Sequence, residues 1–194
     1  MSSSGERGLI PDPPLLLRFR RVRGVWQPSG VHASEPPPAI AVFDIDGVLA
    51  DVRHRLHLLD RRPKDWAGFF AAAPADPALA EGVALVRELD TAYRVVYVTG
   101  RPERCRADTV RWLNDHTLPS GKLIMRGDRD RRPARVVKAG VVDELARQSR
   151  VAVVVDDDAA VCAALRSRGY PVLTADWLPS MPELTDGQER LGRT

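Results

Sequence analysis

The chain has 194 residues, 44% hydrophobic and 28% charged, the balance of about one folded domain and too apolar for a wholly disordered protein. No apolar run approaches the ~18 residues that span a bilayer, and Pro14-Leu15-Leu16-Leu17 is too short for a secretory core, so a membrane or secreted protein is not expected. The net charge is +3, of which +2 falls in residues 1–40, leaving a body too evenly balanced to mark a nucleic-acid binder by charge alone. Cys105 and Cys162 form no CxxC pair, which argues against a zinc site or disulfide framework and suits a reducing cytoplasm.

In chain order, residues 1–38 come first, and seven of the sixteen prolines fall among them. Such a Pro/Arg-rich segment is expected to be a partly disordered tail, with Arg18–Trp26 as a short strand or basic arm within it. From Ala39 the pattern changes. Ala39–Phe43 is a short apolar run, the mark of a strand buried on both faces. Leu79–Leu89 has helical apolar spacing. Tyr93–Val98 is a second buried strand, closed by Thr99 and Gly100, and Pro102 suits the first turn of a helix to about Asn114. Lys122–Met125 reads as a strand and Arg135–Gln148 as a helix. Val151–Val155 is a third buried strand, followed by a helix over Ala159–Arg168 with Gly169 as its C-cap, then a last strand over Pro171–Thr174. Strands alternating with helices of this length predict an α/β fold, a three-layer Rossmann-like parallel sheet spanning 39–178, with 179–194 as a C-terminal tail.

Three of the strand runs end in polar residues: Asp44 and Asp46, Thr99 with Gly100 and Arg101, and Asp156 with Asp157. In an open parallel sheet the ligand crevice lies beyond the carboxyl ends of the strands. Carboxylates gathered there repel one another, and a divalent cation removes that cost. An all-oxygen donor set favours Mg²⁺. The candidate ligands are Asp44, Asp46, Asp156 and Asp157.

Asp44 and Asp46 are two residues apart, so an extended backbone turns both side chains to one face while Ile45 points to the core. Asp44 is placed to attack phosphorus and Asp46 to move protons. Gly47 allows a sharp turn and a close approach. An Asp-x-Asp-Gly sequence after a strand is also an ordinary turn. Thr99 can serve a phosphoryl oxygen or cap the following helix, and Lys138 can neutralise charge at the site or lie exposed on its helix.

Phe43-Asp44-Ile45-Asp46-Gly47-Val48, Val98-Thr99-Gly100-Arg101, Lys138 and Val155-Asp156-Asp157 together resemble the four motifs of the haloacid dehalogenase (HAD) superfamily of phosphotransferases. Within it, residues 39 to about 177 most resemble the phosphatase domain of polynucleotide kinase-phosphatases, which remove 3′-phosphates from nucleic-acid ends with Mg²⁺. The resemblance implies Asp44 as nucleophile, Asp46 as general acid/base, Thr99, Gly100 and Lys138 at the phosphate, and Asp156 and Asp157 near the metal. It adds Arg55 and Arg101 as site arginines. Two departures stand out. No GxxxxGK[ST] segment occurs, so no kinase activity is expected of this sequence and a separate kinase or ligase becomes a candidate partner. The acid usual just before the lysine is missing, and Asp128 or Asp130 is the candidate replacement.

Only about 30 residues separate Leu49 from the helix near Leu79, enough for a flap or short helical pair but not an independent cap. An uncapped site can admit a polymer end as well as a small phosphomonoester, and the resemblance points to a DNA or RNA 3′ end. Arg53, His54, Arg55 and His57 are expected at its rim, with Arg126, Arg129, Arg131, Arg132 and Arg135 as a second basic loop. Trp66 and Phe69 read as packing residues. The alternatives are an uncapped phosphatase of small metabolites such as nucleoside monophosphates and, from another class, a receiver-like phospho-accepting module.

Overall fold

The computed structural model describes residues 20–22, 25–27, 38–179 and 181–190. The chain divides into two units, 1–36 and 37–194. In the first, β1 (Arg20–Val22) pairs antiparallel with β2 (Val25–Gln27). The two strands fall in and beside the stretch expected as a short strand or arm; the expected disorder of the tail concerns residues outside those described.

The second unit is built on five parallel strands in the order β5-β4-β3-β6-β7. They are β3 (Ile40–Phe43), β4 (Arg94–Pro102), β5 (Lys122–Arg126), β6 (Val151–Asp156) and β7 (Val172–Thr174). The helices are α1 (Trp66–Ala71), α2 (Ala80–Asp90), α3 (Arg106–Asp115), α4 (Ala134–Ala146), α5 (Ala159–Arg166) and α6 (Pro182–Arg190). The alternation of strand side chains sorts the core into two layers. Ala41, Phe43, Val95 and Tyr97 pack with Val86 of α2 and with Trp112 and Leu113 of α3. Ile40, Val42, Val96, Val98 and Val154 pack on the other face with Ala139 and Val142 of α4 and Val161 and Leu165 of α5. This is the expected three-layer α/β fold.

Two boundaries differ from the sequence reading. β4 runs on through Pro102, because its pairing with β5 slips between Thr99 and Pro102 and resumes at Arg126. Gly100 and Arg101 form the resulting irregularity, a device that re-aims side chains next to active sites. The helix expected from Pro102 therefore starts at Arg106, after a 3-10 turn over Glu103–Cys105. The stretch expected as a C-terminal tail contains α6.

The insert between β3 and α2 is a flap. It holds a 3-10 helix (Arg53–Leu58), α1 and a 3-10 turn (Ala73–Ala75). The Asp65 carboxylate caps α1 by accepting from the Gly68 amide at 2.8 Å. Trp66, Phe69 and Phe70 bury against Val52 and Leu59, and against Met181 and Leu184 of the α6 segment, so Trp66 and Phe69 are packing residues as expected. Among the described residues no helix is long and apolar enough to cross a membrane.

Candidate active site

Because β3 lies between β4 and β6, the three acidic or hydroxyl-bearing strand tips meet at one end of the sheet. The amide of Asp44 donates to the Val155 carbonyl at 2.9 Å, locking the β3 tip to β6. Beyond it the chain turns tightly: the amides of Leu49 and Ala50 donate to the Ile45 carbonyl at 2.8 and 2.9 Å. Gly47 sits in that turn with φ +79°, a conformation that side chains rarely adopt, and a Cβ there would lie 2.1 Å from Oδ2 of Asp157. The glycine is thus required twice, by its backbone and by the carboxylate beside it.

Lys138 comes up from α4 and donates from Nζ to Oδ2 of Asp44 at 2.6 Å and to Oδ2 of Asp156 at 2.7 Å. It is buried, not an exposed helical lysine. Burial opposes its charge, but Asp156, Asp44 and Asp157 outweigh that penalty and raise its pKa, keeping it protonated. Burial also pushes Asp44 up to about 7, helped by Asp156 and opposed by Lys138. Asp157 is raised well above its usual range by burial and by Asp156 and Asp44.

Oxygens of Asp44, Asp156 and Asp157 all lie within 4.8 Å of one another. Three carboxylates facing one ammonium leave negative charge uncompensated. Oδ1 of Asp44 is moreover buried without a hydrogen-bond partner. The donor set, all oxygen and electron-rich, fits a hard divalent cation such as Mg²⁺. The Asp46 side chain, expected among the ligands, is not in this cluster.

Asp46 belongs instead to a second buried group. Its Oδ1 accepts from Nη2 of Arg55 at 2.9 Å and from Nε and Nη2 of Arg101 at 2.9 and 2.6 Å. Both arginines also bind Asp76: Arg55 through Nε and Nη2 at 2.8 and 2.7 Å, Arg101 through Nη2 at 2.8 Å. The Arg55 guanidinium lies 4.0 Å over the Phe69 ring and Arg101 faces Trp112. Burial works against the Asp46 charge, yet Arg101 and Arg55 overcome it and lower its pKa. Asp46 is held ionised. Asp76 was not singled out from the sequence; it sits in Ala73-Pro74-Ala75-Asp76-Pro77, with no pattern to flag it.

The remaining expectations divide. Thr99 lies inside β4 and accepts from the Arg101 amide through Oγ1 at 3.2 Å, so it is not a helix cap. Gly100 adjoins it in the irregular stretch of β4. Arg55 is fully buried and not a rim residue, while Arg53 is exposed and pairs with Asp51 at 2.6 Å. Arg126 is buried too, donating to the Arg132 carbonyl at 3.0 Å, so it is no part of an exposed basic loop. Arg132 pairs with Asp130, and Arg135 with Glu189 of α6. Asp128 receives the Arg104 amide and guanidinium, so both candidate replacements for the missing acid serve arginines; the hydrogen bonds of Lys138 go to Asp44 and Asp156.

Aspartates at adjoining parallel-strand tips, a lysine between two of them and a minimal flap define a phosphatase of the haloacid dehalogenase type, a hydrolase of phosphoric monoesters. The family model described as the polynucleotide kinase PNKP phosphatase domain matches residues 38–176, and the chain belongs to that family. Solved structures share the fold. One, reported as the "Structure of the Pnkp1/Rnl/Hen1 RNA repair complex", superposes with TM-score 0.58 at 20% identity, covering 77% of this chain and 48% of that one. A second structure of the Pnkp1/Rnl/Hen1 complex gives 0.59 at 20% identity, covering 81% and 56%. The chain thus spans about half the length of these relatives. A haloacid dehalogenase-like hydrolase from Streptococcus pneumoniae gives 0.54 at 14% identity, covering 79% and 92%. Comparison with curated proteins by sequence finds no match. Family membership sets aside the receiver-like alternative.

Proposed function

We propose that this chain is a Mg²⁺-dependent phosphatase that removes 3′-phosphates from nucleic-acid ends or nucleotides through an aspartyl-phosphate on Asp44. The observation that carries this reading is the buried cluster of Asp44, Asp156 and Asp157 around Lys138, within a chain of the PNKP phosphatase family. Asp44, Asp156 and Asp157 would hold the cation, which when bound offsets the charge of the phosphoryl group.

An oxygen of the Asp44 carboxylate attacks phosphorus, the P–O bond to the leaving group breaks, and Asp46 delivers a proton to the departing alkoxide. Asp46 then removes a proton from water, whose oxygen attacks phosphorus and releases Asp44 with inorganic phosphate. Held ionised by Arg101 and Arg55, Asp46 is in the protonation state that the second step needs. An incoming phosphate dianion beside it raises its pKa and equips it for the first. Lys138 holds Asp44 in place and offsets charge on the phosphoryl oxygens, with Thr99 and Gly100 of the irregular stretch of β4 as its companions there. Since Asp44 is 3% exposed and Lys138 5%, the site must open to admit substrate.

The Pnkp1 structures that share this fold are of complexes with Rnl and Hen1, which supports a repair setting with separate partner proteins. The test compares turnover of a 3′-phosphorylated oligonucleotide with 3′- and 5′-mononucleotides, with and without Mg²⁺. Preference for the oligonucleotide with Mg²⁺ is expected. A clear preference for mononucleotides would move the assignment to a metabolite phosphatase.

A further inference from the structure

From the position of His54 we infer that it is a positioning residue for this reaction, completing the set of donors that fixes Asp76 and, through Arg55 and Arg101, Asp46. The inference rests on the phosphatase reading above. Asp76 is a fully buried carboxylate, and a buried carboxylate needs its lone pairs filled. Oδ2 accepts from Arg55 and Arg101. Oδ1 accepts from Nε of Arg55, and the remaining partner is Nε2 of His54 at 2.8 Å. A carboxylate only accepts, so Nε2 carries the hydrogen.

His54 therefore supplies the fourth of four bonds. The other three come from two arginines that also donate to Asp46, Arg55 through Nη2 and Arg101 through Nε and Nη2. With His54 absent, Oδ1 keeps only the Arg55 bond, so the Asp76 carboxylate can shift within its three arginine bonds, and the guanidinium groups that also hold Asp46 shift with it. The same contact ties together the two ends of the flap, residues 22 positions apart in sequence. His54 is also the member of the group open to water, its side chain 38% exposed, so its loss leaves a small vacancy at the surface and not a cavity in the core. That separates a positioning role from a packing one.

The test uses the full chain, Mg²⁺ and a 3′-phosphorylated oligonucleotide, with wild type, His54→Ala and His54→Gln measured in parallel. His54→Gln keeps an N–H donor at similar reach. His54→Ala is expected to lose about tenfold in kcat, the lower end for outer-shell partners, with KM within about twofold of wild type. His54→Gln is expected to restore most of the rate, and thermal denaturation midpoints of the three should agree. An active wild type with His54→Ala equally fast overturns the inference alone, as does a His54→Gln variant as slow as the alanine. Should His54→Ala fail to fold, the glutamine variant decides by its rate. A wild type that turns over no phosphomonoester overturns the phosphatase reading, and this inference with it.

Discussion

The Lys138 ammonium lies 2.6 Å from Oδ2 of Asp44, a residue 94 positions earlier in the chain. Parallel topology brings them together: Asp44 leaves the central strand β3, and Lys138 lies on the first turns of α4, which covers that strand's face. The same ammonium reaches Asp156 at the tip of β6, so one lysine joins two strand tips. Removing one partner of such a buried group costs about 3–5 kcal/mol, because the other charges are left uncompensated. Lys138→Met should lose activity and, by urea denaturation without metal, stability of that order. Added Mg²⁺ should lessen the loss, since a cation among the carboxylates relieves the same repulsion.

Asp44 gives the fold a pH dependence of definite sign. Burial raises its pKa from 3.8 to about 7, so the folded chain keeps a proton that the unfolded chain releases at lower pH. Stability from this group is then fully present below the unfolded value and declines as pH rises toward about 7. Thermal denaturation of metal-free protein, followed from about pH 5 to about pH 7.5, should show a midpoint falling with pH. Asp44→Asn or saturating Mg²⁺ should flatten the slope. An unchanged slope in Asp44→Asn would assign it to other groups.

Gly47→Ala tests the turn. The positive φ alone costs about 1–2 kcal/mol for a residue with a Cβ, and the added methyl would displace the Asp157 carboxylate. Calorimetric titration should find Mg²⁺ affinity reduced along with the stability.

Arg101→Lys keeps the charge but not the fork that grips Asp46 through Nε and Nη2. Activity should fall on the order of 10- to 100-fold, as for other partners that orient a reactive group. With less positive charge held against Asp46, its pKa rises, so the low-pH limb of kcat should move upward.

Much of this site was legible in the sequence because strand tips announce themselves. Apolar runs ending at Asp44, Thr99 and Asp156 need no long-range information, and a parallel sheet brings such ends together by itself. Lys138 became meaningful only through its order relative to those tips. The second charge group was legible in part: Asp46, Arg55 and Arg101 stand in recognisable motifs, whereas its assembly around Asp76 does not show. Asp76 and His54 are ordinary turn and surface residues locally, and their roles arise from contacts across the flap. The extent of β4 was hidden because an irregularity at Gly100 and Arg101 lets pairing resume where a helix start was expected. α6 was missed because Pro182–Arg190 is mostly polar, although Pro182 at its start is a recognisable first-turn signal. Arg126 was misplaced at the surface because burial of an arginine depends on the loop folded over it, and that loop's charge pattern suggested solvent.

The central claim is covalent chemistry at Asp44, and trapping the intermediate tests it most directly. Turnover of a ³²P-labelled 3′-phosphorylated oligonucleotide, quenched with acid and followed by peptide mapping, should place label on the peptide containing Asp44. The label should require Mg²⁺ and vanish in Asp44→Asn, which should hydrolyse nothing while staying folded. Continued turnover with no protein-bound label, or hydrolysis by Asp44→Asn above a few per cent of the wild-type rate, would contradict the account.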